Sequence, residues 1–125
     1  MQPGFRESDW KIFRELRALA LERFCQRVLD HVGQLAADTE KGSHERYLAV
    51  YGLVQERDQC LADMFNNPRR STALVQLARI GSEGLLTDAE IARFSDETRA
   101  SVEVFLDLWR TEPAASAEAA ARHGK

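Results

Sequence analysis

The residue types that most often carry out chemistry are few in this chain and stand far apart in sequence. Its three histidines are His31, His44 and His123, and none lies four residues from another, the spacing that places two metal ligands on one helix face. Cys25 and Cys60 have no neighbouring histidine and no helix N-terminus that would activate a thiol. The sequence therefore predicts no catalytic residues, no metal site and no cofactor.

A cluster of arginines indicates a second kind of chemistry, the binding of anions. Residues 68–82 contain Arg69, Arg70 and Arg79 and no acid, which gives a local charge of +3. Arg69 and Arg70 stand at the start of a predicted helix, where free backbone N–H groups attract anions. One interpretation is contact with a small anion or a nucleic acid. The other is pairing with residues 83–112, which hold eight acids and three arginines.

Two charged residues fall on apolar stripes that are predicted to be buried. Arg17 lies near the centre of the stripe on the first predicted helix, and Asp58 lies within the stripe on the second. If the two helices fold back about residue 40, Arg17 lies opposite position 63, one turn from Asp58. We expect a structural ion pair that sets the register of the two helices. The alternative is a polar anchor for a ligand.

Two long helices must position these residues. Apolar residues recur at helical spacing over 8–37 and again over 43–65, and a turn is predicted at 38–42. Such a short connection between long helices indicates an antiparallel hairpin.

Three shorter helices are predicted after the hairpin, over 68–82, 88–94 and 95–110. The second of them has the strongest start signal in the chain, because Thr87 and Glu90 stand at the two positions of a capping box.

The sequence thus predicts an all-α fold, a helical bundle in which three shorter C-terminal helices pack against a long N-terminal hairpin. Residues 1–112 form a single domain in this interpretation. Residues 113–125 are rich in alanine and lack large apolar side chains, so we expect a disordered tail.

The first helix carries more apolar surface than one neighbouring helix can cover. Ile12, Leu16 and Leu19 form a second apolar strip, well separated from the main stripe. A helix of this length spans about 45 Å, whereas a compact domain of this size is roughly 36 Å across. Either the C-terminal helices or a second chain must cover Ile12, Leu16 and Leu19, and we expect the interface of a homodimer there.

Composition and charge limit the functional classes. The net charge is −3, which argues against nucleic acid as a general partner. No apolar run approaches the roughly 18 residues of a membrane span, and the N-terminus lacks the apolar core of a signal peptide. We expect a soluble protein of a bacterial-type cytoplasm with reduced thiols.

The chain resembles known proteins in two ways. The runs Ser8-Asp9-Trp10-Lys11 and Leu21-Glu22-Arg23-Phe24-Cys25 resemble small uncharacterised helical proteins of proteobacteria, a family that implies no particular function. Residues 77–94, with Gly84-Leu85-Leu86-Thr87 and Glu90-Ile91, are similar to the short helical oligomerisation module called SHOCT. That module has a lysine-rich second helix, whereas residues 88–94 contain only Arg93 as a basic residue. The resemblance implies self-association.

The leading hypothesis is a non-enzymatic helical protein that forms a homodimer and serves as a scaffold or adaptor for a protein partner. The alternative is a small regulator that responds to a ligand or associates with nucleic acid through Arg69 and Arg70. An enzyme of an unrecognised type is a third hypothesis, for which the sequence offers no catalytic set.

Overall fold

The computed structural model describes residues 6–110, which form five helices and no strand. The predicted all-α bundle is therefore confirmed, and the tail predicted over 113–125 lies outside the described residues. The helices are α1 (Glu7–Ala36), α2 (Ser43–Phe65), α3 (Arg70–Ser82), α4 (Asp88–Ile91) and α5 (Asp96–Arg110).

The register of the hairpin is marked by two hydrogen bonds between α1 and α2. The Arg46 guanidinium donates to the carbonyl of Ala36 (2.6 Å), and the Arg17 guanidinium donates to the carbonyl of Phe65. Both pairs are centred on Lys41, so the two helices fold back about this residue.

The hydrophobic core lies where the half of the hairpin far from its turn meets α3, α5 and the loop that follows α3. This half comprises the first part of α1 and the last part of α2. Each large apolar side chain buried there contributes roughly 1.5–3 kcal/mol. The core is formed by Phe13, Leu16, Ala20, Phe24, Met64, Phe65, Ala73, Leu77, Ala78, Ile80, Leu85, Leu86, Phe94 and Val102.

Polar contacts hold the C-terminal helices against α1. The Arg23 guanidinium donates to both carboxylate oxygens of Glu90 (2.7 and 2.8 Å) and to the carbonyl of Leu85 (2.8 Å). The Arg93 guanidinium makes a second bidentate contact, with Glu15. These contacts fix the segment around α4 over the N-terminal half of α1.

The capping box predicted at the start of α4 is confirmed. The Glu90 backbone N–H donates to the Thr87 hydroxyl (3.1 Å), and the Thr87 backbone N–H donates to the Glu90 carboxylate (2.8 Å). Glu90 therefore caps its own helix and binds Arg23 with the same carboxylate.

The upper half of the hairpin, residues 25–58, stands apart from this core and is called the arm below. Of the described residues 25–58, Leu53 alone is buried. The hydrophobic core includes no residue of the arm, although Val28 packs partly against it. Through most of its length the arm is a pair of helices without a third helix to cover its sides.

Candidate functional site

The arm carries an apolar surface that runs along one side of both helices. On this side lie Cys25, Leu29 and Val32 of α1 and Val54 of α2, which together line a groove of about 270 Å³. Leu29 is 61% exposed and Val54 45% exposed.

Two tyrosines extend this surface toward the tip of the hairpin. The rings of Tyr47 and Tyr51 stack with centroids 6.4 Å apart and are 64% and 53% exposed. Tyr47 also lines a shallow cavity at the tip together with Ala36, Arg46 and other residues. We call the set Cys25, Leu29, Val32, Tyr47, Tyr51 and Val54 the arm face.

Charged residues occur only at the two ends of this surface. Asp58 lines the groove at the base of the arm and is exposed, and Arg57 beside it is half-buried. Arg46 lines the cavity at the tip. Between these ends the arm face is apolar apart from the tyrosine hydroxyls, and Tyr51 accepts a hydrogen bond from Gln55 (3.1 Å). A surface with an apolar centre and polar ends has the composition of a protein interface.

The structure corrects the predicted interface at Ile12, Leu16 and Leu19. Leu16 is 1% exposed in the core, Ile12 packs partly against that core, and Leu19 is 39% exposed. Because the C-terminal helices cover this half of α1, Leu16 has no surface left for a second chain. Exposed apolar residues also lie in the other half of the hairpin, where Leu29, Tyr47, Leu48, Tyr51 and Val54 are each 45% exposed or more.

The predicted ion pair between Arg17 and Asp58 is wrong. The Arg17 guanidinium instead donates to the carbonyl of Phe65 and lies 5.8 Å from the centroid of the Phe65 ring. The hairpin folds about Lys41, so Asp58 lies opposite Phe24, about two helical turns from Arg17. The other interpretation, a ligand anchor formed by Arg17 and Asp58 together, requires the same proximity and is not supported.

The two arginines predicted to contact an anion differ in their surroundings. The Arg70 guanidinium forms an ion pair with Glu7 and lies 5.6 Å from the centroid of the Trp10 ring. Arg69 is exposed and lines an open cavity at the start of α3, together with Asp63, Ser71 and others. Because Arg70 is already paired with Glu7, the hypothesis of an anion contact depends on Arg69.

The described residues include two histidines, His31 and His44, and both cysteines. His31 lines a polar cavity of about 290 Å³ with Arg57 and Glu83, at the junction of the arm with the rest of the molecule. Cys25 and Cys60 are free thiols. In residues 6–110 no group of three or more His, Cys, Asp and Glu residues could hold a metal ion.

Within residues 6–110, no helix combines the length and the apolarity needed to cross a bilayer.

Sequence reasoning missed the arm face because helical periodicity assigned its residues to the contact between α1 and α2. Tyr47, Tyr51 and Val54 follow one another at helical spacing, but this stripe points about 100° away from the side of α2 that meets α1, where Leu53 is buried. The predicted length of α1 could have indicated the arm. A helix of about 45 Å extends beyond a compact domain of this size, so part of it must lie outside the core.

Comparison with protein-family models, with curated proteins and with solved structures gives no match to this chain.

Proposed function

We propose that this chain is a non-enzymatic interaction protein that forms a homodimer through the arm face. The observation that carries the proposal is the exposed apolar surface of the arm, where Leu29, Tyr47, Tyr51 and Val54 are each 45% exposed or more. Contiguous apolar surface of this kind marks interaction sites in folded proteins.

The low burial within the arm favours the binding of a partner. A helical segment of about 12–15 residues is only marginally stable in water unless it packs against other elements. Each helix of the arm is about this long, and the described residues 25–58 include one buried residue, Leu53. A second arm packed on the arm face would supply the missing burial.

The size of the surface favours a moderate affinity. Two helices about 10 Å wide over about 24 Å present roughly 500 Å² on one side. Two such surfaces bury about the 1,000 Å² that separates specific interfaces from chance contacts. We therefore expect dissociation constants in the micromolar range.

In this proposal the remainder of the molecule is a folded support for the arm and is free to bind a further protein as a scaffold or adaptor. We also propose a bacterial cytoplasm as its location, which the two free thiols of Cys25 and Cys60 support.

The test compares two substitutions of exposed aliphatic residues on α2. Val54→Asp places a charge on the arm face, whereas Leu48→Asp places the same charge on a residue that is similarly exposed (50%, against 45% for Val54). Helical geometry turns Leu48 about 120° from Val54, about 100° from Tyr47 and about 60° from Tyr51, so it lies outside the centre of the arm face. Light scattering and sedimentation at about 1–200 µM should show a dimer for the wild type and for Leu48→Asp, and a monomer for Val54→Asp.

Circular dichroism is the control, because the helical content of Val54→Asp must match that of Leu48→Asp at low concentration. A wild-type chain that stays monomeric throughout this range would overturn the proposal. Equal loss of the dimer in both variants would show that the interface does not use the arm face.

A further inference from the structure

Of the three charged residues at the ends of the arm face, Arg57 is half-buried and also lines the cavity that contains Asp30 and Glu83. The other two, Arg46 and Asp58, have no oppositely charged partner among the described residues. The Arg46 guanidinium donates to the Ala36 carbonyl (2.6 Å) and the Ser43 hydroxyl (3.4 Å), both of them neutral groups. Asp58 is exposed and takes part in no ion pair in residues 6–110. Arg46 and Asp58 lie about 18 Å apart along α2 and about 120° apart around it. Arg46 reaches the end of the apolar surface through the cavity at the tip, which Tyr47 also lines.

Two arms can stack face to face with twofold symmetry in two ways. In the parallel arrangement both tips point the same way and α1 of one copy lies on α2 of the other. Asp58 then lies against the apolar residues Phe24 and Cys25 of the second copy, and Arg46 lies near Ala36. No opposite charges meet, and a carboxylate loses water without compensation.

In the antiparallel arrangement α1 lies on α1 and α2 lies on α2, with the tip of each arm over the base of the other. Leu29 then lies opposite Val32 of the second copy, and Tyr51 lies opposite Val54. At both ends of the interface, Arg46 of one copy lies beside Asp58 of the other. Symmetry makes each of these contacts twice.

We infer that the occupant of the arm face is the arm of a second copy in the antiparallel arrangement, held in register by Arg46 and Asp58. This inference rests on the proposed self-association and adds its geometry. The apolar centre supplies most of the affinity, and the two charge pairs at the rim select the direction of the second arm.

The test is a charge exchange measured as the dimer dissociation constant. Asp58→Arg and Arg46→Asp should each weaken the dimer by about tenfold, because like charges then meet twice. The double variant restores both pairs and should return to within about threefold of the wild type. Glu56→Arg is the matched control, since it reverses a charge two residues away, about 160° around the same helix, and should leave the constant unchanged.

Cross-linking gives a second measurement that does not depend on the folding of Arg46→Asp. In a Cys60→Ser background, Ala36→Cys places a thiol opposite Cys25 of the second copy, and a short bis-maleimide should give a covalent dimer. Leu48→Cys in the same background is the control and should give none.

The outcomes separate this inference from the proposal on which it rests. A wild-type monomer at all concentrations overturns both. A wild-type dimer that Val54→Asp dissociates, but in which the double charge variant is no tighter than the singles and Ala36→Cys gives no cross-link, overturns the antiparallel arrangement alone.

Discussion

At the scale of single residues, the strongest electrostatic effect lies in the contact between Glu90 and Arg23. The Arg23 guanidinium, together with the hydrogen bond from the Thr87 backbone, lowers the pKa of Glu90 from 4.5 to about 2. A carboxylate with a lowered pKa stabilises the fold above its unfolded pKa, and this contribution disappears as the pH falls through the folded pKa.

We therefore expect the free energy of unfolding to decrease between about pH 4.5 and pH 2 as Glu90 is protonated. Glu90→Gln should be less stable than the wild type at pH 7 and should show a weaker pH dependence in this window. Urea denaturation at several pH values measures both effects. Glu103→Gln, an exposed position on α5, should retain the wild-type slope. If the free energy of unfolding of Glu90→Gln depended on pH as strongly as that of the wild type, the lowered pKa of Glu90 would not explain this dependence.

At the scale of elements, Asp9 joins the start of α1 to the start of α5. Asp9 is 1% exposed, and its carboxylate accepts hydrogen bonds from the Ser95 backbone (2.9 Å), the Ser95 hydroxyl (2.7 Å) and the Thr98 hydroxyl (2.7 Å). Burial acts to raise the pKa of Asp9, but these hydrogen bonds outweigh it, so the pKa is lowered. The carboxylate therefore stays charged at the N-terminus of α5, where negative charge is favourable.

Asp9→Ala should lower the free energy of unfolding by about 3 kcal/mol, because it leaves donors on half-buried Ser95 and buried Thr98 without an acceptor. Thermal and urea denaturation measure this loss. Glu22→Ala, an exposed position on the same helix, should change stability by less than about 0.5 kcal/mol. Equal effects of the two substitutions would show that Asp9 does not hold α5 in place.

The element boundaries could be predicted largely from local chemistry. The structure has α2 at Ser43–Phe65 as predicted, and α4 starts at the capping box of Thr87 and Glu90. The start of α3 differs, because Asn67 adopts a left-handed conformation (φ 49°) and the helix begins at Arg70 rather than at Pro68. Local sequence cannot reveal how much chain a tight connection between two packed helices consumes.

The tertiary partners of these elements could not be predicted. Periodicity shows which side of α1 is apolar but not which element covers it, so the strip of Ile12, Leu16 and Leu19 was assigned to a second chain. The prediction of an ion pair between Arg17 and Asp58 is wrong for a related reason. A change of one residue in the centre of the hairpin moves the opposing position by two residues, which is enough to exchange Asp58 for Phe65 as the neighbour of Arg17.

At the scale of the whole molecule, burial is unevenly distributed. The core gathers residues from α1, α2, α3, the following loop and α5, whereas of the described residues 25–58 Leu53 alone is buried. Local stability follows the density of buried contacts, so the arm and the rest of the molecule should open independently.

Hydrogen exchange should reveal this division. Backbone amides of residues 29–52 should exchange much faster than those of α3 at low concentration. If the proposed dimer forms, their protection should increase as the concentration passes its dissociation constant. Amides of α3 should show no such dependence. Mass spectrometry of peptides from the two regions measures the difference, and uniform protection along α1 at low concentration would contradict it.

The continuity of α1 has a mechanical consequence. The helix runs without interruption from Glu7 to Ala36, so the part fixed in the core and the part in the arm tilt as one rigid lever. A tilt of about 10° at Phe24 displaces Ala36, about 18 Å further along, by about 3 Å. Small changes in how α3 and α5 pack on the base of α1 are therefore amplified at the hairpin tip, and the position of the tip reports the state of a core to which the tip does not belong.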